Sequence, residues 1–373
     1  MIYKKFKDKS LSALGLGTMR LPLIEGTQEI DQEMVNKMVD YAIENGINYF
    51  DTAWGYHGGG SEIAIGKALK NHKRDSFYLA TKFPGYDVSN MGKAPEIFEK
   101  QLEKCGVTYF DFYLVHNVCE ANIEYYLDRS YQTVEYLLSE KKKGRIKHLG
   151  FSTHADFNNF KRFLDEYGND MEFCQIQLNY IDYEFQDAKA KIEYLTKLGI
   201  PVWVMEPIRG GRLAALNESE LNDIQKIRNE SHIDTAFRFI QAIPQVCVTL
   251  SGMSNMEQLK ENIKTFNCDL PLSKDEFEAA LELGRKMTAC VPCTSCRYCT
   301  EYCPMGLDIP KLISLYNEKV FSGGGFIVSM NLRSLPDDKL PSACIGCGAC
   351  QSVCPQNIKI PNVFSDFVTR LKQ

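Results

Sequence analysis

Two stretches near the C-terminus share one pattern, CTSCRYCTEYCP (293–304) and CIGCGACQSVCP (344–355). Each reads C-x2-C-x2-C-x3-C-P. Three thiolates at this spacing wrap three corners of a cubane [4Fe–4S] cluster, and the fourth reaches away to serve a second one. The pattern therefore predicts crossed ligand sets: Cys293, Cys296, Cys299 and Cys354 on one cluster, and Cys344, Cys347, Cys350 and Cys303 on the other. Pro304 and Pro355 end the loops and fix their exit direction. Zinc sites would ask for C-x2-C pairs with four ligands each, which a triple-plus-one pattern does not supply. Such clusters move electrons singly.

A second chemical set lies far upstream: Asp51, Tyr56, Lys82 and His116, each just beyond a short apolar run. A tyrosine, with a pKa of about 10, is a poor proton donor at neutral pH unless a cation stabilises its phenolate. Lys82 supplies that cation, Asp51 holds Lys82 as its ion-pair partner, and His116 orients a carbonyl or shares the proton. Singly, each has an ordinary structural explanation. Brought together they form a reaction centre able to donate a proton.

The elements that must position these residues alternate along the chain. Apolar runs read as buried parallel strands: LGLGT (14–18), INYF (47–50), FYLAT (77–81), FYLV (112–115), IKHLGF (146–151), FCQIQL (173–178), PVWVM (201–205) and VCVTL (246–250). Helical periodicity fills the gaps, as in Met34, Val35, Met38, Val39 and Ala42 behind Asp31 as N-cap. Ser254 with Glu257, and Ser273 with Glu276, read as capping boxes. Eight such units predict an α/β fold, a (β/α)8 TIM barrel whose reactive face lies at the C-terminal ends of its strands. A doubly wound sheet would need a third glycine after Gly15-Leu16-Gly17. A hairpin of YKKF and LSALG turning at Asp8–Lys9 precedes the barrel.

From Cys290 the composition turns to Cys, Pro and Gly, so the barrel is assigned to 1–285 and a small, mainly α-helical iron–sulfur domain to 286–373. Its half-motif repeats at an offset of 51 residues, Cys293 onto Cys344 and Cys303 onto Cys354. Between the halves Ile309, Leu312, Ile313, Tyr316 and Val320 keep helical period until Gly323–Gly325 break it.

The net charge of −5 excludes a general nucleic-acid binder, which would carry a basic excess. The opening MIYKKFKDKS lacks the apolar run of a secretory signal, and no apolar stretch is long enough to span a membrane, so a cytoplasmic protein is expected. Fourteen cysteines, clustered rather than spread, point to metal in a reducing compartment rather than to disulfides. Cys290 and the five scattered cysteines read as structural.

The motifs FDTAWGYHGGGSEIAIGKAL (50–69), TKF (81–83), YLVHN (113–117) and GFSTH (150–154) resemble the aldo/keto reductase superfamily over residues 1–285. The resemblance implies a catalytic tetrad of Asp51, Tyr56, Lys82 and His116, with Tyr56 as general acid toward a small-molecule carbonyl, or toward an alcohol in reverse. It implies an NADPH or NADH site. Ser152 and Gln175 match the carboxamide-holding positions, with Thr153 where Asn is usual. Thr18, Met19 and Pro207 line the same site, and Met205 stands where most members stack a tyrosine. Ser254, Gln258 and Asn262 match the adenosine segment. Gly252 and Gln258 replace the cations that many members set against the 2′-phosphate, leaving Arg209 and Arg212 as substitutes and a lean toward NADPH. The tail resembles two-cluster ferredoxins, and with it the whole chain is similar to aldo/keto reductase-like oxidoreductases ending in a 4Fe–4S domain.

One chain with both chemistries is expected to couple hydride transfer to one-electron transfer, with a redox protein as partner. Nicotinamide does not readily split its electrons, so a flavin is the simplest converter, and Met205 leaves room for another ring. Two other readings make the barrel a nucleotide-binding sensor or adaptor with little turnover, or the clusters structural staples. Trp54, His57, Met91 and Phe326 are expected at the mouth; Asn117 and His154 lie on the active face without an assigned role.

Overall fold

The computed structural model describes every residue except Ala289, Gly324, Gly325 and Gln373, and the backbone alone of Phe326. The chain divides into two compact units, Met1–Leu281 and Glu282–Gln373. Among the described residues no helix is long and apolar enough to cross a membrane.

The first unit opens with an antiparallel hairpin, β1 (Tyr3–Phe6) and β2 (Lys9–Ser12), turning at Lys7–Asp8, one residue earlier than expected. Eight parallel strands follow: β3 (Leu14–Gly17), β4 (Tyr49–Asp51), β5 (Tyr78–Phe83), β6 (Phe110–Val118), β7 (Ile146–Thr153), β8 (Cys174–Gln177), β9 (Val202–Met205) and β10 (Val246–Ser251). They pair in chain order, and β10 closes the barrel on β3. All eight coincide with the apolar runs, most of whose residues are buried because the barrel interior and the helical layer cover both faces.

Aromatic residues from the beginnings of the strands fill the lower barrel: Tyr49, Phe112, Phe173 and Trp203. Phe6 of the hairpin plugs this end, with its ring centroid 5.2 Å from Trp203 and 5.6 Å from Phe112. Glu172 clamps the plug from outside, ion-paired with Lys7 and Lys141 and bonded to His148 Nδ1 at 2.7 Å. The opposite, C-terminal ends of the strands are left for the site.

Helix α1 (Gln32–Glu44) starts at Asp31, whose carboxylate accepts from Met34 N–H at 2.9 Å, and buries Val35, Met38, Val39 and Ala42. Helices α2 (Ser61–Leu69) and α3 (Ala94–Cys105) flank the strands that carry the chemistry. The Ser273–Glu276 box forms as expected. The other does not: the Met256–Phe266 helix begins one residue later, capped by Asn255, which accepts from Gln258 N–H.

The second unit contains helices and, among the described residues, no strand. Two four-residue helical turns, Tyr298–Glu301 and Ala349–Ser352, fall inside the cysteine motifs. The helices Ile309–Ser322 and Ile360–Leu371 each enter through an Ile-Pro pair, and the first ends at Gly323 with a left-handed φ of 72°. The other two glycines of that expected break lie outside the described residues. Ile309, Leu312, Ile313, Ile358, Ile360 and Phe364 make the unit's own core.

Candidate active site and cluster cradles

Asp51 ends β4, Lys82 lies in β5 and His116 in β6, while Tyr56 opens a short turn after β4. These elements bring the four together. Lys82 Nζ donates to Asp51 Oδ1 at 2.5 Å, to the Thr52 carbonyl at 2.7 Å and to Tyr56 Oη at 3.5 Å. The Tyr56 ring stands edge-on to His116, with centroids 6.3 Å apart.

Lys82 is fully buried. Burial alone would favour the neutral amine, but Asp51 and then Tyr56 outweigh it, and Lys82 stays protonated above the usual lysine range. Burial pushes the Tyr56 phenol above its ordinary value; Lys82 pulls it down, while Asp51 and Glu206 push it further up. The expected stabilisation by Lys82 is thus present but overridden by burial, and the phenol is fully protonated at neutral pH. Burial, then Lys82 and His154, hold His116 well below the usual histidine range, so its ring is neutral. His116 Nδ1 is buried without a hydrogen-bond partner among the described residues. A protonated phenol beside a neutral imidazole and a fixed ammonium can donate a proton to an oxygen that is gaining negative charge.

A buried network behind Lys82 was not foreseen. The Glu62 carboxylate on α2 accepts from Thr81 Oγ1 at 2.7 Å, from Gln101 Nε2 at 2.7 Å and from Lys104 Nζ at 3.2 Å. Gln101 on α3 also donates to the Lys82 carbonyl at 3.0 Å and accepts from Tyr113 Oη at 2.5 Å. Two helices and two strands are thereby tied at the residue that carries the amine.

Ser152 on β7 and Gln175 on β8 are register partners. Ser152 Oγ accepts from Asn117 N–H at 2.8 Å. Gln175 Nε2 donates to Met205 Sδ at 3.6 Å, and its Oε1 is buried with no partner among the described residues. A buried amide oxygen without a donor is unfavourable, and the NH2 of a bound carboxamide would satisfy it. These residues therefore fit a nicotinamide. Thr18 is buried, its Oγ1 donating to the Asp51 carbonyl, so it shapes the floor beneath the site; Met19 is exposed and Pro207 buried. Asn262 Nδ2 donates inward to Ser251 Oγ, and Gln258 Oε1 accepts from Ser254 N–H at 2.8 Å.

The two arginines expected to meet a phosphate are engaged elsewhere. Arg209 is buried against both oxygens of Asp182 at 3.0 Å, which turns it away from the phosphate-binding part expected of it. Arg212 grips Glu220 at 2.6 and 3.2 Å. An exposed cation, Arg20, stands beyond β3, and its Nη2 donates to the Gly210 carbonyl at 3.1 Å. A Cβ on Gly252 would lie 3.3–3.4 Å from the Arg20 side chain, so Arg20 fills the space where a side chain at 252 would begin.

At the mouth, Lys104 Nζ stands 3.8 Å from the centroid of the Trp54 ring, and His57 Nε2 accepts from Leu21 N–H. Met91 is buried rather than lining the mouth. The Phe326 side chain lies outside the described residues. Tyr86, missed in the sequence, is 41% exposed with its ring 5.3 Å from His116.

In the second unit the eight thiols line two hollows. Cys293, Cys296, Cys299 and Cys354 line one; Cys303, Cys344, Cys347 and Cys350 line the other. Among the described residues no three candidate ligands converge as a single metal ion requires. Thiols around a void fit a cluster of several iron and sulfide ions.

Residues 13–284 match the aldo/keto reductase family. The chain belongs to that family. Residues 292–359 of this aldo/keto reductase match the 4Fe–4S dicluster domain, so the chain is an oxidoreductase with a domain for 4Fe–4S clusters. An uncharacterized oxidoreductase of Bacillus subtilis is 27% identical over 304 residues, covering 73% of this chain and 92% of its own. The NADH-specific methylglyoxal reductase of Escherichia coli is 24% identical over 310 residues, covering 70% and 92%. Among solved structures, a holo aldo-keto reductase from Bacillus halodurans superposes with a TM-score of 0.63 at 23% identity, over 76% of this chain and 96% of that one. One from Klebsiella pneumoniae in complex with NADPH gives 0.58 at 20% identity, over 76% and 95%. At these identities the two structures speak to the fold alone.

Proposed function

We propose that the barrel catalyses hydride exchange between NADPH or NADH and a small carbonyl compound or its alcohol, with Tyr56 as general acid. Bound in this site, the nicotinamide would supply or accept the hydride. The observation that carries the reading is the buried Asp51–Lys82–Tyr56 chain beside neutral His116. Tyr56 donates its proton to the carbonyl oxygen, and the fixed Lys82 ammonium favours the phenolate as it forms. Asp51 holds Lys82 in place, and His116 orients the carbonyl. Ser152 and Gln175 hold the carboxamide, Met205 packs on the ring, and Arg20 meets the phosphates.

We further propose that the dicluster domain, with the crossed thiol sets lining its two hollows, receives or delivers the same electrons one at a time, exchanging them with a redox protein. A hydride carries two electrons, one for each cluster, and its proton is released to solvent, or taken up from it in reverse. The coupling calls for a converter of the flavin class, which the visible spectrum of the purified protein reports directly.

The test uses the holoprotein with either nucleotide and methylglyoxal as probe, the relative's named substrate being a reactive small carbonyl. Tyr56→Phe is expected to slow single-turnover nicotinamide oxidation by about a hundred- to ten-thousand-fold while nucleotide binding, read by fluorescence, persists. Full rate in the variant would overturn the assignment. Binding without turnover in the wild type, across a panel of aldehydes and ketones, would favour the sensor reading.

A further inference from the structure

The two cluster hollows are related by the internal repeat, and all twelve residues lining one map onto the twelve lining the other at the 51-residue offset. Nine of the pairs keep the same character: four thiols, two prolines on each side and three aliphatic or aromatic residues. The other three change together. Thr294, Arg297 and Gln356 line the first hollow, where Ile345, Gly348 and Met305 line the second. Every polar non-thiol side chain thus belongs to one side.

From this we infer that the two clusters have distinct reduction potentials, and that the one held by Cys293, Cys296, Cys299 and Cys354 is reduced first. The proposal rests on the crossed ligand sets put forward above. A cluster gains one negative charge when it takes one electron, and no bond in the protein is made or broken. A neighbouring guanidinium and hydrogen-bond donors stabilise that added charge, whereas an apolar wall does not. Charge in the flanking chain runs the same way. Lys359 sits between Ile358 and Ile360, which line the first hollow, and no cation takes its place in the second half of the repeat, where Asp308 stands.

Three features oppose the difference. Lys339 Nζ donates to the Met305 carbonyl at 2.8 Å on the second side, but Lys339 does not line that hollow. Asp308 pairs with Arg297 at 3.1 Å and cancels part of its charge, yet Arg297, not Asp308, lines the hollow. On the other side Leu307 N–H donates to Cys303 Sγ at 3.5 Å, a single neutral hydrogen bond.

The loop backbone gives a clean variant. Arg297 holds φ 64° and Gly348 φ 76°, so Arg297→Gly copies the second loop into the first at a position where glycine is unstrained. The experiment is an anaerobic dithionite titration of the holoprotein followed by electron paramagnetic resonance. The wild type should show two separate one-electron steps. Arg297→Gly should move the higher step toward the lower one and leave the lower unmoved, and Arg297→Lys should keep the separation. Gly348→Arg should raise the lower step, and decides the matter should Arg297→Gly lose its clusters. Coincident wild-type steps, or an Arg297→Gly change confined to the lower step, would overturn the ordering. Cys354→Ser tests the ligand sets separately, because it should disturb the same signal as Arg297→Gly. If it disturbs the other signal, the crossed assignment fails while the ordering of the hollows stands.

Discussion

The barrel site and the cluster cradles solve the burial of reactive groups in opposite ways. In the barrel, Lys82 is fully buried and finds three oxygen acceptors within the protein, and Glu62 behind it finds three donors. Both of these charges are met by side chains and carbonyls of the barrel itself. In the cluster unit the thiols surround voids, Cys296 and Cys347 are exposed, and the core is a thin layer around the hollows. Such a unit leans on what fills it. On the reading proposed above, the barrel's chemistry is preorganised by its side chains, whereas that of the second unit depends on the inorganic core its thiols would hold.

Removing the iron should break the comparison most visibly. Chelation under reducing conditions is expected to unfold residues 282–373 while the barrel melts as before, so calorimetry should lose one transition and keep the other. A single unchanged transition would mean that the second unit stands on its own core. Next, Lys82→Met should reduce turnover by about a thousandfold without unfolding the barrel, because it removes the cation that favours the phenolate. With the Tyr56 pKa raised by burial, carbonyl reduction by the wild type should hold steady through neutral pH and decline only as the phenol ionises, above about pH 10. Alcohol oxidation should rise toward that pH instead. A reduction rate that falls between pH 6 and 8 would point to another proton donor.

Arg20→Ala should weaken nucleotide binding by about ten- to a hundredfold, the loss of one charge-assisted contact. Equal losses for NADPH and NADH would place Arg20 on the shared diphosphate, and a larger loss for NADPH on the 2′-phosphate. The smallest effect concerns the plug. Burial works against the Glu172 carboxylate, but His148, Lys141 and Lys7 more than offset it and hold its pKa at about 2. A carboxylate lowered in the folded state stabilises the fold fully above its unfolded value, near pH 4.5, and loses that stabilisation as pH falls toward 2. Glu172→Gln should therefore cost about 1–3 kcal/mol at neutral pH and flatten the acid limb of the stability profile. An unchanged acid limb would assign acid unfolding to other carboxylates.

Much of this was legible in the sequence because the signals were local. Eight apolar runs gave eight strands, and cysteine spacing gave the thiol sets that line each hollow. Legibility ended where partners meet only through the fold. Glu62 and Gln101 lie on different helices and meet at β5, with no spacing to announce it. Arg209, set among glycines, resembles a surface residue until Asp182 is seen to draw it inside. The helix expected from Ser254 begins after Asn255, because either residue satisfies the cap pattern and only the extended backbone at Asn255 decides. Arg20 escaped notice because its place at the rim comes from the empty Gly252, far along the chain.

In the function proposed above, hydride electrons from the barrel reach the clusters. The most direct test is anaerobic: record the visible spectrum of the holoprotein with oxidised clusters, add NADPH or NADH, and follow nicotinamide and cluster absorption together. Bleaching of the cluster absorption is predicted, with one hydride consumed for every two clusters reduced. Nucleotide bound, as shown by fluorescence, with the cluster absorption unchanged would contradict it.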